Sequence, residues 1–110
     1  MIENATNITS EAYLNAGGVV MDLEAHTVAR GRKEIRLSRR EFELLEYMMR
    51  HAGAMLSRET LLREVWDVDI DYFGNTVDVH IRFLRNKLDE GFKKKLIQTV
   101  HGYGYKFDPE

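Results

Sequence analysis

The spacing of apolar residues changes twice along the chain, and those changes separate segments that cannot share one secondary structure. From Tyr13 to Leu37 the apolar residues come in short pieces: Tyr13-Leu14, Val19 to Leu23, Thr27 to Ala29 and Ile35 to Leu37. Gly17-Gly18, Ala25-His26 and Gly31 separate them, which reads as a small antiparallel meander. From Ser38 to Leu88 the spacing becomes helical. After Gly91 it shortens again, with Leu96 to Val100 and Tyr105 to Phe107 flanking a His101-Gly102-Tyr103-Gly104 turn, a hairpin signal. Residues 1–12 are polar and aperiodic and read as a flexible tail or linker remnant, leaving one domain over 13–110.

Three helices are expected in the middle. Ser38-Arg39-Arg40-Glu41 is a capping box, in which hydroxyl and carboxylate each satisfy a backbone N–H left without a partner at a helix start. Phe42, Leu44, Leu45, Met48 and Met49 then form an apolar stripe that ends before Gly53. Ser57 caps a shorter helix carrying Leu61, Leu62 and Val65 and ending near Trp66. Asn75 or Thr76 opens the third, which runs to Leu88.

With 110 residues the chain has room for one ordinary core, and without cysteine it must be held by packing alone. It contains no apolar run of membrane-spanning length and no signal-peptide pattern at its start, so the expected location is the cytoplasm. Charge is unevenly distributed. Residues 1–74 carry nine Lys and Arg against thirteen Asp and Glu, whereas residues 75–106 carry seven (Arg82, Arg85, Lys87, Lys93, Lys94, Lys95, Lys106) against three. A basic patch of +4 thus sits on an acidic body of −4, the footprint of a polyanion-binding surface.

On a helical wheel Val77, Ile81, Leu84 and Leu88 make a narrow stripe about 60° wide, which must be buried. The opposite face presents Asn75, Val79, Arg82 and Asn86, flanked by Phe83 on one side and by Asp78 and Arg85 on the other. A rod about 21 Å long enters a major groove about 12 Å wide. There Arg and Asn pair with guanine and adenine edges, and an apolar side chain meets the thymine methyl. A basic connector and a glycine-turned hairpin with His101 and Lys106 follow, the layout of a helix-turn-helix with a β wing.

Four runs, read in order, carry a family resemblance: Leu37-Ser38 with Glu41-Phe42 and Leu44-Leu45; Ser57-Arg58-Glu59 with Leu61-Leu62 and Val65-Trp66; Thr76 to Ile81 with Leu84-Arg85 and Lys87-Leu88; and Thr99-Val100 with Gly102, Gly104-Tyr105 and Phe107. Together they resemble the OmpR/PhoB-type winged-helix effector domain of bacterial two-component response regulators, over about residues 13–107. The resemblance implies an α+β winged helix-turn-helix with an N-terminal four-stranded antiparallel sheet, three helices and a C-terminal hairpin wing. It implies a non-enzymatic domain without cofactor that binds double-stranded promoter DNA, usually as a head-to-tail pair on direct repeats. The helix over 75–88 would lie in the major groove and the wing over 96–107 near the minor groove. Thr76, His80, Arg82 and Arg85 match backbone-contacting positions, and Thr99 a contact at the wing base. Phe83 stands where some relatives read a base with arginine, and His101 where a wing arginine is common. The family's loop between the second and third helices meets RNA polymerase, which points to Asp69, Asp71, Tyr72 and Phe73 here. The family's receiver domain, which its sensor kinase phosphorylates, has no room in this chain.

Other chemistries fit poorly. Asp67, Asp69, Asp71 and Asp78 match positions 1, 3, 5 and 12 of a calcium loop, but Tyr72 occupies the position where the sharp turn needs glycine. His26, His51, His80 and His101 are too dispersed for a local metal motif, and no serine lies in a nucleophile pattern. Gly102-Tyr103-Gly104 lacks the following helix of a phosphate cradle, and Trp66, Tyr105 and Phe107 read as core. The competing class is a winged-helix protein-interaction module without DNA binding, which would have no need of the basic patch on its third helix.

Overall fold

A computed structural model describes residues 12–110, so the expected tail lies outside the described residues except for its last position. Four strands, β1 (Tyr13–Ala16), β2 (Val19–Asp22), β3 (Thr27–Arg30) and β4 (Lys33–Ile35), form an antiparallel sheet in sequence order. The fourth is displaced from the expected Ile35 to Leu37, because Lys33 pairs with Arg30 across the Gly31 turn and Ile35 with Val28. Only Ile35 of the apolar pair therefore lies in the ladder. Val19, Met21, Val28 and Ile35 point to the core, and the two-residue period of a strand turns Arg30 inward beside Val28.

Helices α1 (Arg39–Arg50), α2 (Arg58–Trp66) and α3 (Thr76–Leu88) follow. The capping box forms as expected: Ser38 Oγ accepts the Glu41 N–H at 3.2 Å, and Glu41 Oε1 accepts the Ser38 N–H at 2.9 Å. Phe42, Leu44, Leu45, Met48 and Met49 are all buried, each worth about 1.5–3 kcal/mol relative to exposure. In α2 Leu61 and Leu62 are buried, but Val65 is only half-buried because the helix ends there against solvent. The Ser57 hydroxyl caps the Thr60 N–H as expected.

The hairpin β6 (Ile97–Val100) and β7 (Gly104–Phe107) gains a strand that the sequence did not announce, β5 (Leu56–Ser57), which pairs with β7 to give the order β5-β7-β6. Two residues are too short for a periodic signal. Their pairing explains one glycine, since a Cβ on Gly104 would lie 2.1 Å from Leu56 O. Gly102, at the hairpin turn, has a φ of +75°, where other residues are strained. Helix α1 packs on β1, α2, α3 and β7. The three-stranded wing is therefore fastened to the helical core, and α3 keeps one face outward. No described helix is long and apolar enough to cross a membrane.

Candidate nucleic-acid interface

Helix α3 buries Val77, Ile81, Leu84 and Leu88, as its wheel requires. Asn75, Arg82, Phe83 and Asn86 are exposed, with Phe83 42% accessible, whereas Val79 and His80 are half-buried. Val79 thus faces solvent less directly than Asn86. Trp66 meets His80 edge to face at 5.0 Å between ring centroids, and His80 meets Phe83 at 6.2 Å, so an aromatic row links α2 to the outer face of α3. His80 Nδ1 lies 2.8 Å from Thr76 O, and a carbonyl only accepts, so this nitrogen carries the proton of that bond.

The helix opens at Thr76 with Asn75 in the N-cap position, as expected, but the Asn75 side chain makes no bond to the helix start. Asp71 does that work from four residues upstream: Oδ2 accepts the Thr76 N–H at 2.8 Å, and Oδ1 accepts the Thr76 hydroxyl at 2.8 Å and the Phe73 and Gly74 N–H groups. The Thr76 hydroxyl donates inward, and these bonds hold the Asp71 carboxyl below its usual range. Asp71 is therefore part of the scaffold of the α2–α3 loop, while Asp69, Tyr72 (89% accessible) and Phe73 (88%) project from it, beside exposed Val68 and Ile70.

The expected backbone contacts divide in two. Arg82 has no ion pair among the described residues and carries its guanidinium near the Phe83 ring, 5.9 Å from the centroid. Arg85, three residues on, donates through Nε to Ile97 O at 3.1 Å and through Nη2 to the Thr99 hydroxyl. Thr99 and Arg85, expected as separate contacts, are thus bonded to each other and tie β6 to α3. His101 is exposed at the wing turn, and Lys106 is half-buried on β7.

The basic patch is smaller than its residue count. Lys87 reaches back 2.7 Å to buried Glu41 Oε1, and Lys94 lies 3.5 Å from Asp108. Burial would raise the Glu41 carboxyl, but the Lys87 ammonium and the Ser38 groups outweigh it and hold it low. Arg82, Lys93, Lys95 and Lys106 form no ion pair among the described residues, though the Lys95 ammonium donates to Asp89 O at 3.1 Å.

A second cluster was not singled out from the sequence. Asp78, on the α3 flank, accepts from Arg58 Nε at 2.8 Å and from the Tyr105 hydroxyl, joining α2, α3 and β7. Burial pushes the Asp78 carboxyl up, yet the Tyr105 and Arg58 hydrogen bonds prevail and it lies below its usual range; the same contact and burial push the Tyr105 phenol up. Arg58 and Arg85 lie 5.2 and 5.4 Å from the centroid of the Tyr105 ring, so one buried aromatic supports two cations. The signal was present in part, since Arg58 directly follows the Ser57 cap and the wheel puts Asp78 beside the outer face. Among the described residues no cluster of three or more His, Asp or Glu could hold a metal ion.

The family model described as "Transcriptional regulatory protein, C terminal" matches residues 32–107. The chain is 36% identical over 105 residues to the transcriptional regulatory protein CusR of Escherichia coli, covering 96% of this chain and 46% of CusR. It is 50% identical over 95 residues to the uncharacterized transcriptional regulatory protein YkoG of Bacillus subtilis, covering 84% and 41%. The chain thus spans about half the length of the curated relatives it matches. Among solved structures, the Klebsiella pneumoniae RstA DNA-binding domain in complex with the RstA box superposes with a TM-score of 0.79 at 31% identity, over 89% of this chain and 98% of that one. The winged-helix topology, the four ordered motif runs and the family match over most of the chain agree, and the chain belongs to the OmpR/PhoB-type family of C-terminal transcriptional regulatory domains.

Proposed function

We propose that this domain binds double-stranded promoter DNA sequence-specifically, as the output domain of a two-component transcriptional regulator. The observation that carries this reading is the outer face of α3, where Arg82, Asn86, Phe83 and Asn75 are exposed and continuous with a basic connector and wing. In this reading Asn86, Val79 and Phe83 meet base edges, Arg82, Lys106 and His101 meet phosphates, and His80 offers Nε2. Arg85, Thr99 and Thr76 act mainly by holding the scaffold, with contact through the edges their bonds leave open. The RstA domain bound to its box supports the assignment by its likeness in fold and sequence.

The test is selection of bound fragments from random duplexes, followed by titration of the selected site against salt. With about four phosphates neutralised per protomer, log K falls against log salt with a slope of about −3 to −4. A slope near zero and no enriched sequence would favour the alternative of a winged-helix protein-interaction module.

A second surface fits protein rather than DNA. The α2–α3 loop exposes Ile70, Tyr72 and Phe73 among Asp67 and Asp69, and a contact with RNA polymerase is the proposed use. A head-to-tail pair on direct repeats, a receiver domain with its sensor kinase, and a cytoplasmic site of action complete the proposal.

A further inference from the structure

We propose that Arg30 is a positioning residue for the DNA-binding surface, fixing from the N-terminal sheet the angle at which the wing leaves α3. This rests on the reading of α3 and the wing as the interface. Arg30 points inward from β3, and its side chain and that of Asp89 are only 6% and 5% accessible. Its guanidinium meets three acceptors, one on the last residue of α3 and two in the segment joining α3 to β6. Nη1 donates to Leu88 O at 2.8 Å and to Asp89 Oδ1 at 2.9 Å, and Nη2 donates to Lys94 O at 2.6 Å.

The Asp89 carboxylate passes the constraint onward. Oδ1 accepts the Leu96 N–H at 3.1 Å and Oδ2 the Ile97 N–H at 3.0 Å, which are the groups at the entry to β6. Phe92 closes the site, with the Arg30 guanidinium 3.9 Å from its ring centroid. The connector is therefore folded around one planar cation. Lysine, a point charge on a flexible stem, does not reproduce the two-nitrogen fork that meets two carbonyls and a carboxylate here. Besides the β7 ladder and the Asp108 N–H on Leu96 O, the side chain that holds β6 to α3 is Arg85, so one arginine on α3 and one on the sheet tie the start of the wing to the body of the domain.

The experiment compares wild type, Arg30→Lys and Phe92→Leu, the last loosening the stacked guanidinium without removing a buried charge. Folding is checked by the amide spectrum of α1, and two responses are then read. Hydrogen exchange at Leu96 and Ile97 should accelerate by about tenfold or more while the α1 amides keep their protection. Affinity for the selected duplex should fall about tenfold in Arg30→Lys and less in Phe92→Leu, with the loss non-additive with Lys106→Ala on the wing. Unchanged exchange at Leu96 and Ile97 in a folded variant would overturn the proposal. So would an affinity loss that adds fully to that of Lys106→Ala, which would mark a general effect on stability. If Arg30→Lys does not fold, Phe92→Leu decides by the same two readouts. If Lys106→Ala alone changes nothing, the wing contact is wrong, and the clamp stands or falls on exchange at Leu96 and Ile97.

Discussion

The segments on either side of α3 are built alike and dressed differently. Before the helix, Asp71 accepts the N–H groups of Phe73, Gly74 and Thr76; after it, Asp89 accepts those of Leu96 and Ile97. Each junction is thus organised by one carboxylate that gathers backbone donors. The side chains left outside differ in kind. Residues 67–75 hold three aspartates and no lysine or arginine, with Ile70, Tyr72 and Phe73 exposed, whereas 91–106 hold four lysines and no acidic residue. A polyanion is repelled by the first and attracted by the second, so the scaffolding sets the geometry of α3 and the decoration sorts its partners.

The largest expected effect tests that division. Arg82→Glu reverses an exposed cation on the outer face and should weaken binding to the selected duplex by about a hundredfold or more, about 3 kcal/mol. Replacing Tyr72 and Phe73 together by alanine should leave the same affinity within about twofold, because neither side chain is on the basic surface. Fluorescence anisotropy on one labelled duplex compares them directly. Comparable losses from both would merge the two segments into one interface.

A second pair separates scaffold from contact within α3. Arg85→Ala removes two bonds to the wing base and should cost about 1–3 kcal/mol of folding stability in addition to DNA affinity. Arg82→Ala should lower affinity while leaving stability within about 0.5 kcal/mol, as expected of an exposed side chain that forms no ion pair among the described residues. Parallel denaturant titrations check this. Equal stability losses would mean that Arg82 also belongs to the scaffold.

Much of this was legible in the sequence where the cause is local. The Ser38 and Ser57 caps, the α1 and α3 stripes and the wing turn all follow from residues within one or two turns of each other. The wheel and the charge pattern gave the outward face of α3, while the resemblance supplied the strand count of the sheet and the backbone-contact assignments of Thr76, His80, Arg82, Arg85 and Thr99. What the sequence did not disclose is set across long separations. Arg85 and Thr99 meet across 14 residues, Arg58 and Asp78 across 20, Lys87 and Glu41 across 46, and Arg30 and Asp89 across 59. A count of charges therefore overstated the patch, since it treated Lys87 and Lys94 as free. One hint was readable: strand alternation with Val28 inward puts Arg30 inward too, and a buried arginine requires a partner.

Acid should distinguish the tied carboxylates from the exposed ones. Glu41 and Asp78 are held below their usual range in the folded chain, so the unfolded chain binds protons first as pH falls. Their stabilisation is full above the unfolded carboxylate range near pH 4 and is lost as pH drops through the folded values. Unfolding followed by circular dichroism should show a plateau at neutral pH and a decline below about pH 4. Asp78→Asn should be less stable at neutral pH and less sensitive to acid. A stability profile unaltered in shape by Asp78→Asn would detach the Arg58 and Tyr105 contacts from the acid response.

The smallest effect sharpens the comparison most finely, because it adds the same charge to each segment. His101→Arg places a fixed cation at the exposed wing turn, while Tyr72→Arg places one in the acidic loop. Both change the net charge equally at pH 8, so any long-range attraction to DNA is shared. A local phosphate contact is not shared. His101→Arg should tighten binding at pH 8 by about two- to fivefold and steepen the salt slope by about one, as one further released counterion requires. Tyr72→Arg should change affinity by less than about twofold, with the slope nearly unaltered. Both positions are exposed, so neither substitution should move folding stability by more than about 0.5 kcal/mol, and affinity is the clean readout. Equal tightening by the two arginines would mean that only the overall field is felt and that the wing turn lies beyond reach of the backbone. Tightening confined to His101→Arg would put the turn within a contact of a phosphate and fix the side of α3 on which the duplex runs.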